Sequence, residues 1–130
     1  DDVVACTYLG DGGTSEGEFH VALNFAGVYN APTDFIVENN QWAISCPSSG
    51  QTASESFAIK AQAYGFEGVR VDGNDVFAVY DVAKKAADKA RRGDGPTLIE
   101  NVTYRLFSHS SSDDGGVGEN FFRRVRSRCA

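Results

Sequence analysis

Gly10-Asp11-Gly12 and Asn39-Asn40, separated by twenty-six residues, are the two places where this chain gathers groups that could grip a cation. The first follows the apolar run Val3-Val4-Ala5-Cys6-Thr7-Tyr8-Leu9, which reads as a buried strand. The second closes a strand-like run, Phe35-Ile36-Val37, and one helix-sized segment lies between the two. Parallel strands joined by a helix end side by side, and open α/β sheets bind ligands outside those carboxyl ends. Asp11 and Asn40 would bring hard oxygen donors there, of the kind magnesium takes, with a backbone carbonyl two residues after Asn40 completing the set. The glycines let backbone N–H groups approach a phosphate at a helix start. The two clusters together read as a clamp for a divalent cation and a diphosphate. Singly, each is an ordinary turn. The dinucleotide fingerprint Gly-x-Gly-x-x-Gly is not met, because position 15 is serine.

The elements that must position this clamp alternate. After strand 3–9 comes a helix from about Glu16 to Tyr29, with Phe19, Ala22, Leu23 and Ala26 on one face and Thr14 or Ser15 as N-cap. Pro32 precedes a strand around 34–38, and Trp42-Ala43-Ile44 reads as a short extension. Thr52-Ala53-Ser54-Glu55 has capping-box spacing ahead of a helix reaching Tyr64, with Gly65 at its end. A strand over 68–73 ends in a turn. Asp75 then caps a helix over 76–92, with Val76, Val79, Tyr80, Ala83, Ala86, Ala87 and Ala90 apolar, Lys89, Arg91 and Arg92 in its last turn, and Gly93 as its stop. The last strand is 96–104, followed by the Ser-rich loop 108–116. This alternation predicts an α/β fold, a partial doubly wound and mostly parallel sheet flanked by helices.

Composition narrows the function classes. A chain of 130 residues, 42% apolar, can form one domain with a core, and its net charge of −6 argues against nucleic acid as the main partner. The charge is uneven: residues 117–130 hold Arg123, Arg124, Arg126 and Arg128 against the single acid Glu119. Charge divides the chain into an acidic body over 1–116 and a basic tail over 117–130. Cys6, Cys46 and Cys129 form no Cys-x-x-Cys pair, so reduced thiols are expected, with Cys6 in the core. No apolar run is long enough to span a membrane. The start at Asp1-Asp2, straight into a strand, suggests a segment of something longer.

Longer blocks carry a resemblance. Gly10-Asp11-Gly12-Gly13-Thr14-Ser15-Glu16-Gly17-Glu18, then Glu38-Asn39-Asn40-Gln41-Trp42-Ala43-Ile44-Ser45, then Arg70-Val71-Asp72-Gly73-Asn74-Asp75-Val76, then Tyr104-Arg105 and His109-Ser110-Ser111-Ser112-Asp113-Asp114 agree in order and spacing with one family. Together they resemble the alpha subunit of the thiamine diphosphate-dependent 2-oxo acid dehydrogenases, nearest the branched-chain (2-oxoisovalerate) type, from about residue 3 to residue 114. The resemblance implies that Asp11, Asn40 and the carbonyl of Trp42 bind magnesium. It implies that Gly12, Gly13 and Thr14 contact the cofactor diphosphate. It places His109 on an active-site loop near the cofactor, where it assists acyl transfer to lipoamide; imidazole can exchange a proton near neutral pH. Arg105 and Asp113 would order that loop. Ser110 matches a regulatory phosphorylation position of animal relatives, and a Ser-rich loop is equally well explained as flexible. Glu38 stands where some relatives carry an Arg on the diphosphate and is assigned no role. His20 reads as a surface or core residue.

The resemblance also implies partners: a beta subunit, which in the family supplies the cofactor-activating Glu and the aminopyrimidine pocket, and a lipoyl-bearing acyltransferase. The cytoplasm, or the mitochondrial matrix in a eukaryote, is the implied location. From Gly115 onward the sequence leaves the family pattern, and the early part of the family's cofactor-binding half has no counterpart. Activity from this chain alone is therefore not expected. The alternative is a free-standing, non-catalytic α/β fragment acting as a binding or oligomerisation module, in which self-association hides bare sheet edges.

Overall fold

The computed structural model describes residues 3–112, so Asp113, Asp114, Cys129 and the tail 117–130 lie outside the described residues. In chain order the elements are β1 (Ala5–Gly10), a 3-10 turn (Asp11–Ser15), α1 (Gly17–Tyr29), β2 (Thr33–Asn39), the two-residue strands β3 (Trp42–Ala43) and β4 (Cys46–Pro47), and the short helix α2 (Ser48–Gln51). A second 3-10 segment (Ala58–Tyr64), β5 (Glu67–Asp72), α3 (Val76–Arg91) and β6 (Thr97–Val102) follow. β1, β2, β6 and β5 form a four-stranded sheet in that spatial order, parallel throughout. β3 and β4 pair separately as a small antiparallel hairpin.

Topology dictates the layers. The crossover from β1 to β2 moves one way along the sheet, and that from β5 to β6 moves the other. Crossovers of the same right-handed sense then place their helices on opposite faces. The core agrees: Phe19, Leu23 and Ala26 of α1 pack with Phe57, Ala61, Phe35, Val37 and Leu98 on one face. Ala86 of α3 packs with Ile36 and Ile99 on the other. Central strands β2 and β6, covered on both faces, are apolar on alternate and consecutive positions alike, as buried parallel strands must be. Gly68 is there for space, because a Cβ on it would collide with the Ala58 carbonyl.

Several expectations need correction. β1 is largely exposed, Cys6 and Tyr8 included, because it is an edge strand paired on one side only. Thr14 does not cap α1: its hydroxyl donates to the Asp11 carbonyl (2.8 Å), closing the 3-10 turn, and Glu16 becomes an N-cap without a side-chain bond. Residues 52–64 are not one helix. Thr52 accepts from the Ser54 N–H (3.1 Å), a local turn that competes with helix initiation, so only the 3-10 segment forms, ended by Gly65 at φ 82° as expected. Ala22 of α1 and Val76 and Tyr80 of α3 face outward. The other cap holds: Asp75 accepts from the Phe77 and Ala78 N–H groups (2.9 and 3.2 Å).

Asp34, on β2, is buried, and its Oδ1 has no hydrogen-bond partner among the described residues. Burial pushes its carboxyl above the usual aspartate range, against the weaker pull of Lys89 and Arg91. A carboxylate whose folded-state pKa is raised costs stability above that pKa, and the cost disappears as pH falls below the ordinary value of 3.8. Asp34→Asn is therefore expected to be more stable than the parent at pH 7, with the gap closing by pH 3, in urea unfolding curves taken at both pH values.

A candidate cation and diphosphate site at the strand ends

Gly10 pairs with Glu38 in the parallel register, so the ends of β1 and β2 sit side by side. Beyond β2 the chain reverses through two consecutive Asx turns. Asn39 Oδ1 accepts from the Gln41 N–H (2.9 Å), and Asn40 Oδ1 accepts from the Trp42 N–H (3.0 Å). Gln41 adopts φ 72° and Ile44 φ 56°, left-handed conformations that the turn and the hairpin demand. The hairpin closes with the Ser48 N–H donating to the Gln41 carbonyl (3.0 Å). It lies directly on the Gly-Asp-Gly turn, since a Cβ on Gly12 would come within 2.7 Å of Ala43 Cβ.

This folding back delivers α2 to Asp11. Ser48 Oγ and Gln51 Nε2 both donate to Asp11 Oδ2, at 3.3 and 3.1 Å. Asp11 is 1% exposed and forms no ion pair among the described residues. A carboxylate so buried is compensated only in part by neutral donors, and a nearby cation would complete the compensation. Ser48 Oγ also reaches 3.5 Å from Asn39 Oδ1, which links the two halves of the clamp. Gln51 Oε1 is buried with no partner among the described residues. No group of three or more His, Cys, Asp or Glu able to hold a metal occurs among the described residues. A cation here would instead take one carboxylate with amide and backbone oxygens, a hard donor set that suits magnesium and leaves positions for phosphate and water.

Behind this layer stands Glu100, 1% exposed on β6. Its Oε1 accepts from Asn39 Nδ2 (2.7 Å), its Oε2 accepts from the Ala58 N–H (2.9 Å), and Arg70 Nε lies 3.7 Å away. Asn39 is thus oriented from below while its other end shapes the turn. Glu38 accepts from Asn101 Nδ2 (2.9 Å), on the opposite face of the sheet.

The segment carrying His109 leaves β6 at the rim of this site. The Thr103 N–H donates to the Asn39 carbonyl (2.8 Å), and Arg105 Nη2 donates to the Ile44 carbonyl (2.7 Å), tying the start of the segment to the hairpin. His109 itself lies further out, on an exposed stretch where Ser110 and Ser112 hydroxyls are 3.1 Å apart. His20 is structural: its Nδ1 is 2.7 Å from the Tyr64 hydroxyl, and its ring meets Phe19 edge-on. Ser48, Gln51 and Glu100 were not singled out from the sequence. Ser48 and Gln51 carry no motif and reach Asp11 only through the hairpin, whereas Glu100, an acid inside an apolar strand, was a visible signal.

An open parallel sheet whose first strand-to-helix turn and second strand end lie side by side belongs to the α/β class, in which ligands bind outside the carboxyl ends of the strands. Comparison with known proteins gives the family: the dehydrogenase E1 component family matches residues 1–119, and the chain belongs to it. It is 60% identical over 114 residues to the 3-methyl-2-oxobutanoate dehydrogenase subunit alpha of Mycobacterium tuberculosis (strain CDC 1551 / Oshkosh), covering 88% of this chain and 31% of that protein. It is 51% identical over 113 residues to the pyruvate dehydrogenase E1 component subunit alpha of Staphylococcus aureus (strain Mu50), covering 87% of this chain and 30% of that protein. The chain thus spans about a third of the length of the curated relatives it matches. Among the described residues no helix is long and apolar enough to cross a membrane.

Glu100→Ala would leave the Asn39 amide and the Ala58 N–H buried without an acceptor. A loss of roughly 2–6 kcal/mol is expected, about 1–3 kcal/mol for each buried donor left without an acceptor. Urea denaturation would measure it, and a loss below about 1 kcal/mol would contradict this account of Glu100.

Proposed function

We propose that this chain is a thiamine diphosphate- and magnesium-binding segment of a 2-oxo acid dehydrogenase alpha subunit, of the branched-chain type. One observation carries the reading: a buried carboxylate, Asp11, at the end of β1, held by neutral donors beside a glycine turn at a helix start. In this reading Asp11, the Asn40 amide oxygen and the Trp42 carbonyl hold magnesium. Gly12, Gly13 and Thr14 meet the diphosphate at the glycine turn. Thiamine diphosphate, when bound, supplies the carbanion chemistry of 2-oxo acid decarboxylation. The chain's own residues neutralise and orient: Asp11 fixes the metal's charge at the strand ends, and the glycine turn offers N–H groups to the phosphates. His109 gives or takes a proton as the acyl group passes to lipoamide.

The branched-chain assignment is supported by the higher identity to the 3-methyl-2-oxobutanoate dehydrogenase subunit. A beta subunit and a lipoyl-bearing acyltransferase are the proposed partners, in the cytoplasm. A second reading, a binding or self-associating module without activity of its own, is favoured by the apolar side chains left bare: Phe25 and Tyr29 on α1, and Val76, Phe77 and Tyr80 on α3.

Thermal unfolding with and without saturating thiamine diphosphate and magnesium tests the site. A ligand at a hundred times its Kd stabilises by about 2.7 kcal/mol, so Tm should rise by several degrees, fall back on chelation, and stay unmoved in Asp11→Ala. No rise in the parent would refute cofactor binding. A rise that survives Asp11→Ala would move the metal elsewhere.

A further inference from the structure

We infer that Gln51 is a positioning residue of the cation site, fixing Asp11 with one end of its amide and presenting the other to a water bound to the cation. The inference rests on the reading of Asp11 as a cation ligand and deepens it. Gln51 ends α2, and its Nε2 donates to two acceptors, Asp11 Oδ2 at 3.1 Å and the Cys46 carbonyl at 3.3 Å. With both amide hydrogens committed, the planar group has no freedom to turn, and Oε1 is held on the far side. That oxygen is buried and accepts nothing from the described residues. It lies beside the glycine turn, 3.9 Å from where a Cβ on Gly12 would stand.

A buried amide oxygen without a donor is costly, and most such oxygens in folded proteins find one. A donor suited to this place is a water on the cation. Magnesium held by one carboxylate keeps several waters, whose hydrogens point outward at any nearby acceptor. An amide serves both sides, whereas glutamate would offer Asp11 no donor and lysine would offer a water no acceptor. The neutral side chain therefore aims the carboxylate without adding charge to it.

Magnesium chloride alone is the probe. Binding is followed through the fluorescence of Trp42, the chain's one tryptophan and itself at the site, and through the magnesium-induced rise in Tm. Gln51→Ala should weaken magnesium binding roughly tenfold or more, the usual consequence of losing a residue that orients a metal ligand. Gln51→Glu should act with opposite signs: a lower Tm without metal, because two carboxylates then face each other, and a larger magnesium-induced rise. Asp11→Ala should show no response. A purely structural Gln51 would lower Tm in both variants and leave magnesium affinity at the parent's value, which overturns the inference while the site reading stands. A parent that ignores magnesium alone overturns the inference, and one that also ignores magnesium with thiamine diphosphate overturns the site reading with it.

Discussion

A carboxylate inside the central strand of the sheet is the constraint on which the rest of this structure depends. Glu100 sits among apolar neighbours on β6, where an unpartnered acid would oppose folding, and it is tolerated because three elements converge to satisfy it. Asn39 comes from the end of β2, the Ala58 N–H from the second 3-10 segment, and Arg70 from β5. Each of those partners is thereby fixed in place. Asn39, once oriented, turns the chain, the turn seats the hairpin, and the hairpin carries α2 across to Asp11. A polar group buried below the site thus determines the geometry above it.

Much of this was legible in the residues, and for identifiable reasons. The parallel alternation, the pairing of the first two strands and the Asp75 cap follow from periodicity and from side chains acting within a few residues of themselves. What could not be read depended on distant contacts. Cys6 belongs to an apolar run, yet strand order places that run at an edge, and order is a property of the whole sheet. Thr14 has the right type and position for a cap, but the 3-10 turn claims its hydroxyl first. Asp11 and Asn40 were visible as a pair because each ends its own strand. Ser48 and Gln51 were hidden, because only a hairpin with two left-handed residues brings them back.

The exposed apolar surface has a common origin. α1 is apolar on two sides: one packs on the sheet through Leu23, and the other leaves Val21, Phe25, Val28 and Tyr29 bare, with the Phe25 and Tyr29 rings stacked at 5.8 Å. The first half of α3 does the same with Val76, Phe77 and Tyr80. A helix hydrophobic on both sides belongs between two layers. Among the described residues α1 and α3 each pack on one layer, the sheet.

The bond between Asn39 and Glu100 joins residues 61 apart in sequence, and this has a kinetic consequence. Parallel pairing of β2 with β6 closes a long loop before any contact rewards it, so the pairing belongs late in folding. Asn39 gains its buried acceptor only when β6, the last strand among the described residues, lies between β2 and β5, so the form of the site reports on the seating of that strand.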